Sequence, residues 1–345
     1  MERLPDGLPL NDHIEMAIDL TGRTIAGLDV FELIGLGGVA EVYRAFDARA
    51  EREVALKVLS QRAEPDMIRR FMREGRVLLG LRHPHIVEVY DVGEAQMLRY
   101  IVMELMAAGS LKECLQRGTL DWREATRIAL EIARALEHAH THGVIHRDVK
   151  PGNVMFAAYG RAKLTDFGLA GVADASAMTR TGTVLGTVFY LSPEQAVGRP
   201  VDGRTDLYAL GAMLYEMLVG QPPFTGPSAV SIIYKHLNEE PRPLRQLDPS
   251  LPQALEHLVS RLLSKSADGR PETAGKVAEA LEDLLRSDGQ AAHRAVDLVA
   301  PAEPDDDIVP YAGRSEERAA LEAALERALA GEGRTLMLSG EAGMG

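Results

Sequence analysis

Between residues 28 and 102 the apolar positions fall in short, β-branched runs, at 54–59, 86–92 and 100–103, and one polar stretch at 65–79 interrupts them. Alternation at period two predicts strands, and the interruption predicts a single helix carried by a small sheet. Beyond Gly109 the period lengthens. Ala125, Ile128, Ala129, Ile132, Ala135, Leu136 and Ala139 recur at the three-and-four spacing that lines one face of a helix. The same spacing returns at 206–219, 255–263 and 274–285, so the second half is expected to be mostly helical. From Ser287 the chain turns polar, with Pro301, Pro304 and the run Asp305-Asp306-Asp307, which reads as a linker over 287–309. The pattern as a whole predicts an α+β chain of two lobes, an antiparallel-sheet lobe and then a helical one.

Composition changes this picture little. The 345 residues are 46% hydrophobic and 26% charged, an ordinary globular balance. The net charge of −13, with basic residues spread singly, argues against a nucleic-acid partner. Cys114 is the one cysteine, so no internal disulfide is available, which fits a reducing compartment. The acidic, proline-bearing start has neither the basic head nor the apolar run of a secretory leader, and no apolar run is long enough to cross a bilayer. The expected location is cytoplasmic, with no membrane segment.

Candidate chemistry is concentrated in two strings. His146-Arg147-Asp148-Val149-Lys150-Pro151-Gly152-Asn153 is followed, after a short apolar run, by Asp166-Phe167-Gly168. Two aspartates and an asparagine offer hard oxygen ligands for a divalent ion and a carboxylate to receive a proton. Upstream, Ile34-Gly35-Leu36-Gly37-Gly38-Val39-Ala40-Glu41-Val42 is a glycine-rich turn between strands, and Val54-Ala55-Leu56-Lys57 places Ala55 and Lys57 on one strand face.

Taken in this order, the strings resemble the glycine-rich loop, lysine strand, catalytic loop and metal loop of bacterial, eukaryotic-type serine/threonine protein kinases. The resemblance covers residues 28–286. It implies a bilobal kinase fold with an N-lobe at 28–104 and a C-lobe at 107–286, preceded by an N-terminal extension over 1–27. It implies ATP and Mg²⁺, with Mn²⁺ as the substitute, as cofactors. The nucleotide would meet residues 34–42, Ala55, Lys57 and Met155, with Met103 as gatekeeper and the backbone of Glu104 and Met106 meeting the adenine. Glu74, on the N-lobe helix, would fix Lys57. Glu64 is the rejected rival, because it precedes Pro65 and lies too early for the inward face.

In the lower lobe Asp148 would orient the acceptor hydroxyl and take its proton, Lys150 would offset charge on the moving phosphoryl group, and Asn153 and Asp166 would hold the metal. Thr187 would complete the acceptor site. Thr179, Thr181 and Thr183 are candidate phosphorylation sites, Thr179 and Thr181 being favoured, and a phosphate there would neutralise Arg147. Glu194 should pair with Arg270, and Asp206 should hold the backbone of the catalytic loop. The implied activity is transfer of the ATP γ-phosphoryl to Ser or Thr of proteins, the chain itself included, through a dimer for trans-autophosphorylation. Alternatives are a pseudokinase scaffold and the regulatory head of a larger multidomain ATPase.

Two features invite other readings. His138, His140, His142 and His146 suggest a metal cluster, but Gly143 separates the last from the helix and no third ligand converges, so packing is expected. Alanine stands at the third glycine of G-x-G-x-x-G; a positive φ at Ala40 would cost on the order of 1 kcal/mol. Finally, residues 310–345 resemble the truncated start of a signal-transduction ATPase module, ending at Gly340-Glu341-Ala342-Gly343-Met344-Gly345 before the Lys of a phosphate loop.

Overall fold

The computed structural model describes residues 19–36, 40–60, 63–157, 160–167 and 187–298. The chain divides into two compact units, Met1–Ala291 and Ala292–Gly345; the sheet, the helices discussed below except the last turns of the final one, and the cleft lie in the first. The ATPase-like segment at 310–345 lies outside the described residues, as do Gly37, Gly38, Val39, Gly168 and the three activation threonines.

The first lobe is one antiparallel sheet of six strands in the order β1-β2-β3-β4-β6-β5: β1 (Thr24–Ile25), β2 (Leu28–Leu36), β3 (Ala40–Asp47), β4 (Arg52–Leu59), β5 (Val89–Ala95) and β6 (Leu98–Glu104). Period-two alternation gives it two different faces. Tyr43, Val54, Leu56, Tyr100 and Val102 close one face into a local core, joined by Leu20 and Ile25 from ahead of residue 28. The opposite face carries the residues that matter for chemistry. Val42 lies across from Lys57, Lys57 across from Ile101, and Ala55 across from Met103, and directly paired residues share a face.

Helix α1 (Pro65–Leu78) opens with Pro at its first turn, Asp66 near its N-terminus and Arg76 near its C-terminus, all favourable for those ends. Its buried residues Phe71, Gly75 and Leu78 form one stripe, on which Glu74 also sits. Gly75 is required by proximity: a Cβ there would fall 2.7 Å from Val92 and 3.0 Å from Ile101, so the helix rests directly on the sheet. Glu64 is the exposed N-cap, away from that stripe.

The second lobe is built on α3 (Trp122–Thr141), whose predicted apolar stripe is buried, and on α5 (Arg204–Val219), which is buried nearly all round. Gly220, at φ 80°, ends α5 in the left-handed conformation that glycine adopts without strain. Short helices α2 (Leu111–Leu115), α4 (Pro193–Ala196) and α7 (Leu244–Leu247), with α6 (Ala229–Asn238), α8 (Gln253–Leu262) and α9 (Ala274–Leu298), complete it. A two-stranded ribbon, β7 (Val154–Phe156) and β8 (Ala162–Leu164), lies under the cleft. Three boundaries differ from the sequence reading. The sheet already begins at β1, inside the stretch 1–27 expected to be an extension, because Ile25 is buried in the sheet's core. Ile86 contributes an isolated bridge to Leu164 and the strand proper starts at Val89. Helix α9 runs to Leu298, past the expected end at 285, because no proline interrupts it before Pro301.

The expected Glu194–Arg270 pair is present. Arg270 donates to both carboxylate oxygens, at 2.7 and 2.9 Å, and also to the carbonyls of Ser264 and Arg204, while its side chain is fully buried. Removing one member leaves the other charge buried alone, which costs about 3–5 kcal/mol. Arg270→Met should therefore lower the urea-unfolding free energy by about that much, and Glu194→Gln/Arg270→Met together by less than the sum of the two single changes; additive losses would contradict the pairing.

Candidate active site

The lower half of the cleft is fixed by a fully buried carboxylate. Asp206, in the first turn of α5, accepts the backbone N–H of His146 at 2.8 Å and of Arg147 at 2.7 Å, as expected from sequence. It also accepts from His140 Nε2 at 2.8 Å, a contact the sequence reading did not foresee. Its only sequence signal was a histidine at the end of an otherwise apolar helical stripe. These bonds stabilise a tight turn in which Arg147 takes φ 68°. Gln195 of α4 adds a bond from its side-chain amide to the Arg147 carbonyl, at 2.8 Å.

His146 is packed in the core, as anticipated, and its tautomer follows from its bonds. The Asp148 N–H donates to Nδ1 at 3.2 Å, so the proton resides on Nε2, which donates to the Thr165 carbonyl at 3.0 Å. Burial holds this imidazole below its usual pKa, against the pull of Asp206 and Asp148. One neutral ring thus ties the loop bearing Asp148 to the residue before Asp166. Among the described residues there is no group of three or more His, Cys, Asp or Glu able to hold a metal in the manner of a histidine cluster. His138 stacks instead between His83 and His142, with ring centroids 5.1 and 4.4 Å away.

Asp148, Lys150 and Asn153 form a connected group. Lys150 Nζ donates to Asp148 Oδ2 at 2.6 Å. Asn153 Nδ2 donates to the same oxygen at 3.0 Å and to the Asp148 carbonyl at 2.8 Å. Both amide protons of Asn153 are therefore engaged, and its Oδ1 has no partner among the described residues. The other carboxylate oxygen of Asp148, Oδ1, likewise has no hydrogen-bond partner among the described residues.

From above, Lys57 reaches down to Asp166. Its ammonium lies 2.6 Å from Oδ1, a contact that spans the two lobes. Asp166 adopts φ 54°, a backbone state uncommon outside glycine and found where function constrains the chain. Burial pushes the Asp166 carboxyl upward, but Lys57 outweighs it, with smaller help from His146 and Lys150, so it stays below the usual carboxylate range. Burial likewise pulls Lys57 down, and Asp166 and then Glu74 more than reverse it.

Glu74 lines the same chamber as Lys57, Met103, Asp166 and Phe167. No ion pair joins it to Lys57 within 4.0 Å, however, so the expected clamp is not made in this state: Asp166 holds the ammonium. The physical reason is competition. Lys57 has one head group, Asp166 is close and ionised, and burial pushes the Glu74 carboxyl up to about 7, past the opposing effect of Lys57.

The roof of the cleft follows the register. Val42 and Ala55 share the Lys57 face, Gly35 lies opposite Val42, and Ile34 and Leu36 are exposed at the edge. Ala40 belongs to β3 and has no positive φ, so the strain anticipated for alanine at that position does not arise. Its methyl group is buried in the core instead. At the join between lobes Met103 and Glu104 close β6, the Glu104 N–H is taken by the Glu88 carbonyl at 2.9 Å, and the Glu104 side chain accepts from Lys163 at 2.6 Å. Met106 has no backbone hydrogen bond to another described residue. Met155 lies in β7, and Thr187 opens a short 3-10 turn, Thr187–Tyr190. Arg147 Nε is buried without a partner among the described residues.

Comparison with known proteins fits this geometry. A family model described as protein kinase domain matches residues 28–283. The serine/threonine-protein kinase PknB of Mycobacterium leprae is 42% identical over 263 residues, covering 74% of this chain and 42% of its own length. The serine/threonine-protein kinase PrkC of Bacillus subtilis is 42% identical over 259 residues, covering 74% and 40%. The chain thus spans about two-fifths of the length of these relatives. The crystal structure of the PknI kinase domain of Mycobacterium tuberculosis superposes with a TM-score of 0.61 at 31% identity, covering 76% of this chain and 98% of that one.

Because Glu74 titrates higher folded than unfolded, the folded chain binds an extra proton between the ordinary value of 4.5 and about 7. Its contribution to stability is therefore greatest below pH 4.5 and declines as pH rises through about 7. Glu74→Gln cannot ionise and should flatten the fall in melting temperature across that window, read by differential scanning calorimetry. A slope unchanged from wild type would contradict the assigned environment.

Proposed function

The chain belongs to the protein kinase family, and from that premise we propose that it is an active serine/threonine protein kinase, which moves the γ-phosphoryl group of ATP to Ser or Thr hydroxyls of proteins. The observation that carries this reading is the convergence of Lys57, Asp166, Asn153, Lys150 and Asp148 in one cleft between a sheet and a helical lobe.

The donor set suits ATP and Mg²⁺. Asn153 Oδ1 and the Asp166 carboxylate are hard oxygen ligands without other partners among the described residues, save the ammonium on Asp166 Oδ1. That ammonium is a cation already stationed where positive charge is needed. Asn153 and Asp166 would hold a divalent ion, which when bound would supply positive charge to offset what develops during transfer. Mn²⁺ offers the same coordination. Lys57 would hold the α and β phosphates, with Glu74, which lines the same chamber, as the carboxylate available to its ammonium. Val42 and Ala55 would enclose the adenine, and the unpartnered backbone of Met106 supplies donor and acceptor groups at its edge.

Asp148 acts on the acceptor. Lys150 and Asn153 occupy Oδ2, which leaves Oδ1 to accept the hydroxyl hydrogen bond and receive its proton as the hydroxyl oxygen bonds to the γ-phosphorus and the β–γ bridging P–O bond breaks to release ADP. Lys150 offsets charge on the transferring group, and Thr187 completes the acceptor side. Phosphorylation at Thr179, Thr181 or Thr183 would supply an anion for Arg147, whose buried Nε has no partner among the described residues. Activity on other copies of the chain, through a transient dimer, follows from the same chemistry. No helix among the described residues is long and apolar enough to cross a membrane. The pseudokinase alternative drew on Ala40, and the strain it assumed is absent.

Asp148→Ala should reduce transfer to a Ser-containing peptide by roughly 10² to 10⁴-fold while ATP affinity, measured by calorimetry, stays within about threefold. Transfer at the wild-type rate would remove Asp148 from this role.

A further inference from the structure

A second concavity lies on the helical lobe, away from the cleft. Between α4, residues 197–202 and the end of α6 the surface sinks into a groove of about 660 Å³, inside the range of roughly 300–1,000 Å³ typical of ligand pockets. Pro193, Val197 and Leu237 give it apolar walls.

Its charges are unevenly matched. Glu194 is bound to Arg270, and Asp202 to Arg204 at 2.7 Å, so the two carboxylates lining the groove are engaged. Its remaining cations are not. Arg199 is exposed, and its guanidinium makes no ion pair or hydrogen bond with any described residue. Lys265 is half-buried, and its ammonium meets the Lys235 carbonyl at 3.3 Å and the Phe224 ring at 4.2 Å, with no carboxylate within 4.0 Å. Burial pulls Lys265 down to about 8, and the more distant Glu240 and Glu239 do not restore it.

An apolar lane leads into the groove. Val230 and Tyr234 stand four residues apart on α6, 66% and 59% exposed, on the face that continues to Leu237 and Asn238 at the groove wall. The opposite wall is coupled to the cleft: α4 carries Gln195, which bonds the Arg147 carbonyl beside Asp148.

We propose that this groove docks an extended acidic segment of a protein substrate, placing Asp or Glu carboxylates on Arg199 and Lys265 and an apolar side chain along Val230 and Tyr234. The proposal rests on the protein-kinase reading and specifies its substrate class. A carboxylate brought to Lys265 replaces a weak carbonyl contact with a charge-assisted bond, and Arg199 gains a partner that it lacks among the described residues. The docked segment lies outside the reacting residues, so it acts on substrate affinity and leaves the chemical step alone.

The test uses the full chain and peptides sharing one neutral Ser acceptor sequence, either bare or extended on either side by an acidic tail bearing a Leu, by a neutral tail, or by a phosphoserine tail. Steady-state transfer should show a KM about tenfold lower for one acidic-tailed peptide than for the bare one, at equal kcat. Arg199→Gln and Lys265→Met should each remove most of that advantage and leave the bare peptide unaffected; Arg199 is exposed, so its loss does not endanger folding. Anisotropy of labelled acidic peptide, with the Lys265 ε-methylene followed by NMR, reads docking without turnover, and binding should raise the Lys265 pKa. If no peptide is phosphorylated yet the acidic tail binds and both variants release it, the groove assignment stands and the kinase reading fails. Equal KM for bare and acidic peptides, a tail advantage that survives both variants, or preference for the phosphoserine tail overturns the proposal.

Discussion

A carboxylate sealed from water organises the catalytic loop. Asp206 accepts two successive backbone N–H groups and one imidazole N–H, three donors gathered on one buried carboxylate. Hydrogen bonds to a charged group contribute about 1.5–3 kcal/mol each, enough to hold Arg147 in a left-handed conformation that its side chain disfavours. That turn aims Asp148 into the cleft. Residues far apart in sequence, on α3, α4 and α5, thereby fix the position of one carboxylate to within a hydrogen-bond length.

The upper lobe answers through a different interaction. Strand register alone places Val42, Ala55, Lys57, Ile101 and Met103 on a common face, so the sheet presents one cation among apolar neighbours. That cation closes on Asp166 across the gap. The resulting arrangement is poised rather than complete: an ion pair that the proposed function would exchange for metal and phosphate, a Glu74 whose carboxyl burial pushes up beside it, and an arginine nitrogen with no partner among the described residues. Each of these unsatisfied charges corresponds to a charge that substrate, metal or modification would bring.

Much of this was readable in sequence, and for a definable reason. Where a residue's place depends on local period, as for the α3 stripe, the Ala55–Lys57 face or the burial of α5, the pattern carries the answer. Where motif strings constrain several chemical groups in order, as at His146–Asn153, the site can be anticipated too. The same logic located the Glu194–Arg270 pair and the grip of Asp206. Sequence failed on contacts decided by competition or by distant packing. It could not tell that Lys57 would choose Asp166 over Glu74, because the outcome depends on relative burial. It missed His140 on Asp206 and Lys163 on Glu104, for neither spacing nor residue type singles them out among many similar residues. It overestimated strain at Ala40, whose backbone is set by pairing with Leu59 on β4.

The central claim is that the two lobes form a single phosphoryl-transfer centre bridged by Lys57. Incubating wild type and Lys57→Met with Mg²⁺ and γ-labelled ATP, then hydrolysing the protein and separating its phosphoamino acids, tests this directly. The account predicts label on serine or threonine in the wild type and a loss of at least about 10²-fold in the variant. Equal labelling of both proteins, or label confined to tyrosine, would contradict it.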